Sequence, residues 1–258
     1  VSSTGHMILL DEFVKLNVSE AFYEMFQVVI QLGAILAVIM LFFHKLNPLS
    51  PKKDLVQKKD TWNLWFKVVV AVIPSAVVGL LLDDWMDEHL YRYEVVAVAL
   101  IVYGVAFLFA EKLNRKNGRQ GTEEITYKTA LLMGAFQCLS LVPGTSRSGS
   151  TILGAILLGV GRSAGAEFSF FLAVPTMFGA TVYKMYKLLS TGGTALIMDN
   201  LSTLIIGNVV AFIVAMLAIK FFINFVSKYG FVAFGWYRII AGGLILVLML
   251  CGIKLEIM

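Results

Sequence analysis

The sequence predicts an all-α polytopic membrane protein: six transmembrane helices plus re-entrant helical hairpins, in an inverted-topology repeat. Three observations predict it. Of 258 residues, 59% are hydrophobic and only 15% are charged, against roughly 25% charged in soluble domains, and mean hydropathy is +0.82. Apolar runs recur at the length of a bilayer crossing, about 20 residues. Basic residues concentrate in short loops between those runs, so a pI near 9.0 reads as membrane orientation rather than nucleic-acid binding. The same composition excludes disordered, collagen-like and disulfide-scaffold classes. Cys138 and Cys251 both lie in apolar runs and offer neither a disulfide framework nor a metal-ligand spacing.

The chain opens at Val1 on the polar string Ser2-Ser3-Thr4-Gly5-His6. This is no signal peptide, and the expectation is that native residues precede Val1. The first span is 24–43. Loop 44–62 follows, with Lys45, Lys52, Lys53, Lys58 and Lys59 against Asp54 and Asp60. Span 63–82 leads to an acidic loop, 83–94, holding Asp83, Asp84, Asp87, Glu88 and Glu94 opposed by Arg92. Span 94–110 returns to a second basic loop, 111–128, with Lys112, Arg115, Lys116, Arg119 and Lys128. Segments 129–142 and 150–161 are too short to cross. They flank Pro143-Gly144-Thr145-Ser146-Arg147-Ser148-Gly149-Ser150-Thr151 and read as a re-entrant hairpin or broken helix. Spans 166–188 (carrying Glu167 and interrupted by Pro175), 202–226 and 234–253 complete the chain. Positive-inside counting places 44–62 and 111–128 in the cytoplasm and 83–94 outside, so both ends of the chain face outward. Trp62, Trp65, Trp85 and Trp236 fall near span ends, as an interfacial belt requires.

An offset of 143 maps Ser3 onto Ser146, Glu24 onto Glu167, 63–82 onto 206–225 and 94–110 onto 237–253. The chain then reads as one membrane domain, 1–258, with repeat 1 at about 1–110 and repeat 2 at about 129–258. Each half is a Ser/Gly hairpin loop followed by three spans. Three is odd, so the second half is inverted relative to the first, which brings the two loops together near the midplane.

Arg147 is the most telling residue. At membrane depth an unpaired arginine costs at least about 2.5–3.5 kcal/mol. It either snorkels or pairs with a Glu, or it forms an anion site, because guanidinium grips phosphate in a bidentate fork. Gly144, Ser146, Ser148 and Gly149 permit a tight turn with converging N–H groups. Ser148, Ser150 or Thr151 is the expected cap of the half-helix beyond, whose N-terminus also favours an anion. Ser2, Ser3 and Thr4 offer hydroxyls as nucleophile or phosphate donors, or simply a helix cap; His6 offers acid–base or nucleophilic chemistry. His44 and His89 read as solvated. Glu24 and Glu167 serve either as helix-N-terminal carboxylates or as metal- or arginine-binding groups. Gln27, Gln31 and Gln137 suit hydrogen bonding between helices. The sequence has no Walker loop, Rossmann fingerprint or zinc signature.

Taken together, Val1-Ser2-Ser3-Thr4-Gly5-His6 and the string Pro143 to Thr151 resemble the two signature strings of the bacterial undecaprenyl-diphosphatase, or bacitracin-resistance protein, family. Residues 26–38 and 166–175 are similar too, so the resemblance covers essentially the whole chain. It implies six spans plus two re-entrant helical hairpins from interlocked inverted repeats. It implies hydrolysis of undecaprenyl diphosphate to the monophosphate at the outer face of the bacterial inner membrane, recycling the lipid carrier of peptidoglycan synthesis and conferring bacitracin resistance. Ser3 would be the nucleophile, His6 a catalytic group and Arg147 the diphosphate grip, with Ser146 and Thr151 as phosphate contacts. Ser2, Thr4, Gly144, Thr145 and Ser148 complete the expected substrate-binding set. A divalent cation, Mg²⁺ or Ca²⁺, is also implied. Family members carry a Glu-x-x-x-Glu type segment and a proline directly before Val-Ser-Ser-Thr-Gly-His. Nothing precedes Val1 here, so the metal carboxylates are expected upstream, with Glu24 and Glu167 as lesser candidates.

The expected partner is a polyprenyl diphosphate lipid in the bilayer; no nucleic acid is expected, and a homodimer is left open. The alternative is a secondary transporter or flippase for a lipid-linked or small anion, since inverted repeats with broken helices are a transporter architecture. A type-2 phosphatidic-acid phosphatase is set aside, because no histidine follows Ser146-Arg147.

Overall fold

In lipid every backbone polar group must be satisfied internally, and long apolar runs do this as helices. The computed structural model describes residues 2–10, 18–113, 121–190 and 192–252. In order these form α1 (Ser3–Leu10), α2 (Glu20–Val29), α3 (Gln31–Leu41), α4 (Phe43–Leu46), α5 (Leu55–Leu90), α6 (Tyr93–Leu113), α7 (Tyr127–Cys138), α8 (Arg147–Leu157), α9 (Arg162–Ser190), α10 (Thr194–Asp199), α11 (Leu201–Tyr229) and α12 (Val232–Leu250). Six stretches are long and apolar enough to cross a membrane: Glu20–Leu41, Leu55–Leu82, Tyr93–Lys112, Arg162–Ser190, Leu201–Tyr229 and Val232–Leu250. The protein is an all-α, multi-pass membrane protein. Its surface agrees: Ile206, Ile213, Leu217 and Phe221 on α11 are all more than half exposed, a face that suits lipid and not water.

Four expectations are corrected. The span at 24–43 begins earlier, at Glu20, and is two helices meeting at Ile30. There the Gly33 amide turns from its regular partner to the carbonyl of Ile30 (3.2 Å) and to Asn208 Oδ1 (3.0 Å). Much of the acidic loop 83–94 is helix, since α5 runs on to Leu90. Pro175 does not interrupt its span: α9 is continuous from Arg162 to Ser190, and the neighbouring Thr176 Oγ1 donates to the Leu172 carbonyl at 2.8 Å. Glu24 and Glu167 lie beyond the first turns of α2 and α9, so neither is a helix-N-terminal carboxylate. Arg115, Lys116 and Arg119 lie outside the described residues, as do the side chains of Asp83, Asp84 and Asp87.

The chain divides into two compact units, and the divisions fall within α5, α9 and α11. One unit comprises Val1–Lys15, Lys67–Ser169 and Ile223–Ile257. Its spine is α6 against α12, packed through small residues. A Cβ on Gly104 would lie 2.7 Å from the Gly235 carbonyl, and one on Gly242 2.7 Å from that of Ala97. Such close approach is how helices associate where lipid removes any hydrophobic drive. Short α7 and α8 form a helical hairpin, with Gly154 against the ring of Phe136. At 12 and 11 residues and about 1.5 Å per residue, neither can cross a bilayer. Gln137 Nε2 ties α7 to α5 through Ser75 Oγ at 2.7 Å, the interhelical use expected for that glutamine; Gln31 instead bonds the Gln27 carbonyl across the α2–α3 break. The other unit comprises Leu16–Phe66 and Phe170–Phe222, with Met258. It packs Phe22, Met25 and Val29 of α2 against Leu188 of α9 and Leu204 of α11.

Candidate active site

Both polar strings cap helices in the first unit. Ser2 Oγ accepts from the Gly5 amide at 3.4 Å and so caps α1; Ser146 Oγ accepts from the Gly149 amide at 3.4 Å and caps α8. The cap of α8 is therefore Ser146, not Ser148, Ser150 or Thr151. The two capping bonds are alike in spacing, each running from a glycine amide to the serine three residues before it.

The bend before α8 needs two unusual residues. Gly144 has φ +94, and a Cβ there would lie 2.6 Å from the Val96 carbonyl on α6. Ser146, at φ 72 and ψ 125, occupies a region that L-residues avoid. This turn places Arg147 at the first helical position. Its Nη1 donates to the Ser169 carbonyl at 3.2 Å. No carboxylate pairs with it among the described residues; Arg162 at the start of α9, by contrast, is paired with Glu111.

The hydroxyls then separate by environment. Thr145, Ser150 and Thr151 are buried and bonded inward. Thr145 Oγ1 donates to the carbonyls of Leu139 (2.9 Å) and Val142 (2.8 Å). Ser150 Oγ donates to Tyr103 Oη at 3.1 Å, and Thr151 Oγ1 to the Arg147 carbonyl at 3.0 Å. Ser146, Arg147 and Ser148 stay partly exposed. On α1, Ser3 is exposed and His6 partly so; the Thr4 side chain lies outside what is described. Ser3 and His6 are three residues apart on one helix, hence neighbours on its surface. Glu24 is exposed on α2, in the other unit; Glu167 is on α9 in this one.

Sequence reasoning missed the residues that join the two strings. Arg238, on α12 and only 1% exposed, donates through Nη2 to the carbonyls of Gly144 and Thr145, both at 2.8 Å. Its guanidinium lies 5.3 Å from the Tyr103 ring centre, a cation–π distance. The adjacent Tyr237 places Oη 2.6 Å from His6 Nε2. Consecutive residues of α12 thus hold one string each. The strings also rest one turn apart on α6, Gly5 at Leu100 and Gly144 at Val96. An arginine inside the apolar run 234–253 was the available signal, since an intramembrane charge marks function by default. An open groove of about 480 Å³ runs beside the bend, lined by Val95, Val98, Val102, Leu139, Val142 and Thr145.

A family model described as "Bacitracin resistance protein BacA" matches residues 1–244. The chain belongs to the bacitracin resistance protein BacA family. BacA-family relatives include an undecaprenyl-diphosphatase of Enterococcus faecalis, 54% identical over 248 residues, covering 95% of this chain and 90% of the relative. One from Limosilactobacillus fermentum is also 54% identical, with the same coverage. Undecaprenyl-diphosphatase 1 of Clostridioides difficile is 52% identical, covering 95% of this chain and 88% of the relative. The cation implied by BacA resemblance finds no ligand set here: no three His, Cys, Asp or Glu side chains converge among the described residues.

Proposed function

We infer that this protein is an undecaprenyl-diphosphatase, a membrane hydrolase of a phosphoric anhydride that returns undecaprenyl diphosphate to the monophosphate and confers bacitracin resistance. Family membership and relatives at about half identity support the reaction. The observation that carries the site is that both strings rest on α6 and α12, and that the second string carries a guanidinium, Arg147, with no carboxylate partner among the described residues. A diphosphate supplies that missing negative charge.

In this reading Arg147 and the first amides of α8 bind the diphosphate and stabilise the charge that develops on it. Ser146 and Ser148 contribute hydroxyls. The buried Thr145 and Thr151 shape the bend rather than reach the ligand. Ser3 attacks the terminal phosphorus, the bond to the bridging oxygen breaks, and the lipid leaves as monophosphate. The Ser3 proton passes to His6, and water then releases phosphate from Ser3. The groove beside Thr145 suits an apolar tail that never leaves the lipid phase. A divalent cation, Mg²⁺ or Ca²⁺, is proposed by family resemblance alone. The α7–α8 hairpin is proposed to be re-entrant, with a second re-entrant hairpin built around the first string, in the inner membrane and with the site open to the outside.

Replacing Arg147 with Ala in the detergent-solubilised protein is expected to lower phosphate release from polyprenyl diphosphate by about 100- to 1,000-fold, with thermal unfolding unchanged. Near-normal turnover sinks the assignment. Flux of the lipid across liposomes without phosphate release would favour a flippase instead.

A further inference from the structure

His6 has no unoccupied ring nitrogen. Nδ1 lies 2.7 Å from the Ser2 carbonyl oxygen. A carbonyl only accepts, so Nδ1 carries the hydrogen. In the neutral ring Nε2 is then the bare nitrogen and the only one able to take a proton. Its lone pair faces Tyr237 Oη at 2.6 Å, and the two rings stack at 12° with centres 5.6 Å apart. A proton bound for His6 must therefore pass through the phenol oxygen or displace it. Tyr237 is 47% exposed while its oxygen is held on the imidazole, so the phenol has one side on His6 and another open to an incoming group.

We propose that Tyr237 is a proton relay between His6 and the attacking oxygen. This rests on the reading that His6 takes the proton of that oxygen. As the O–P bond forms, the attacking hydroxyl gives its proton to Tyr237 Oη while Tyr237 gives its own to His6 Nε2. The phenol ends neutral, as it began, and the imidazole becomes imidazolium, stabilised by the Nδ1–H bond to Ser2. When the covalent phosphate is hydrolysed, the same two transfers run in reverse.

The two routes differ in the sign of one substitution. Tyr237→Phe keeps the stacked ring and removes only the oxygen. With a relay, kcat falls by about 100-fold or more, KM holds, and the dependence of kcat on deuterium fraction changes from curved, two protons in flight, to linear. Without a relay, Nε2 is simply uncovered, and turnover stays at or above that of the unmodified protein; that result overturns the proposal. His6→Gln, measured alongside, separates this failure from that of the parent reading. Loss in both variants supports the relay. Loss in His6→Gln alone overturns Tyr237 only. Full activity in His6→Gln removes the role of His6 and the relay with it. Equal thermal unfolding of Tyr237→Phe and the unmodified protein excludes misfolding as the cause of a loss.

Discussion

Ser146 carries two opposing terms at one position. Its hydroxyl caps α8, a contribution of about 1 kcal/mol, while its φ of 72 costs on the order of 1–3 kcal/mol. Glycine removes the strain and forfeits little of the cap, because Gly itself caps tolerably. Alanine forfeits the cap and keeps the strain. Ser146→Gly is therefore expected to match or exceed the unmodified protein in thermal stability, and Ser146→Ala to lose about 1 kcal/mol, both read by unfolding in detergent. Equal losses in both would remove the strain argument. Phosphate release should fall in both, since both lack the hydroxyl. The residue that aims Arg147 is thus kept at a cost to stability. Arg238 complements it by covering the Gly144 and Thr145 carbonyls, whose dipoles would otherwise oppose an anion at the bend.

At the scale of elements, the α6–α12 pair sets where both strings sit, and glycine sets the pair. Gly242 and Gly243 are neighbours on α12, yet only Gly242 faces α6: a Cβ on Gly243 meets nothing within 4 Å. Gly242→Ala must push α12 away from the Ala97 carbonyl and is expected to cost about 1–3 kcal/mol. Gly243→Ala is expected to gain up to about 1 kcal/mol from helix propensity. Thermal unfolding of the two single variants checks both signs; similar losses would mean that α6 does not limit the approach. Because α12 also carries Tyr237 and Arg238, Gly242→Ala should lower turnover as well.

At the scale of the molecule, six crossings and the loop charges predict an orientation. Lys52 and Glu88 are both exposed, one in the basic loop and one at the acidic end of α5. In a chain with Cys138 and Cys251 changed to Ala, a cysteine at Lys52 should resist a membrane-impermeant thiol reagent in intact cells, and one at Glu88 should react. The reverse pattern would turn the site toward the cytoplasm. The number of crossings was legible because lipid demands long apolar runs, and length and hydropathy are local properties. Arg147 was legible because a charge within a Ser/Gly string between two short apolar segments has few other uses. The break at Ile30 was not, since it depends on Asn208, distant in sequence. Nor was the continuity of α9 through Pro175, which rests on the helix around it.

The chain alone thus determined the class, the crossings, both polar strings and the arginine at the bend, all written in contiguous residues. Only the tertiary structure decided which hydroxyls turn inward, which serine caps each helix, and that Tyr237 and Arg238 hold one string each. Those outcomes depend on which side chain another helix presents at a given point, and packing between residues far apart in the chain sets that.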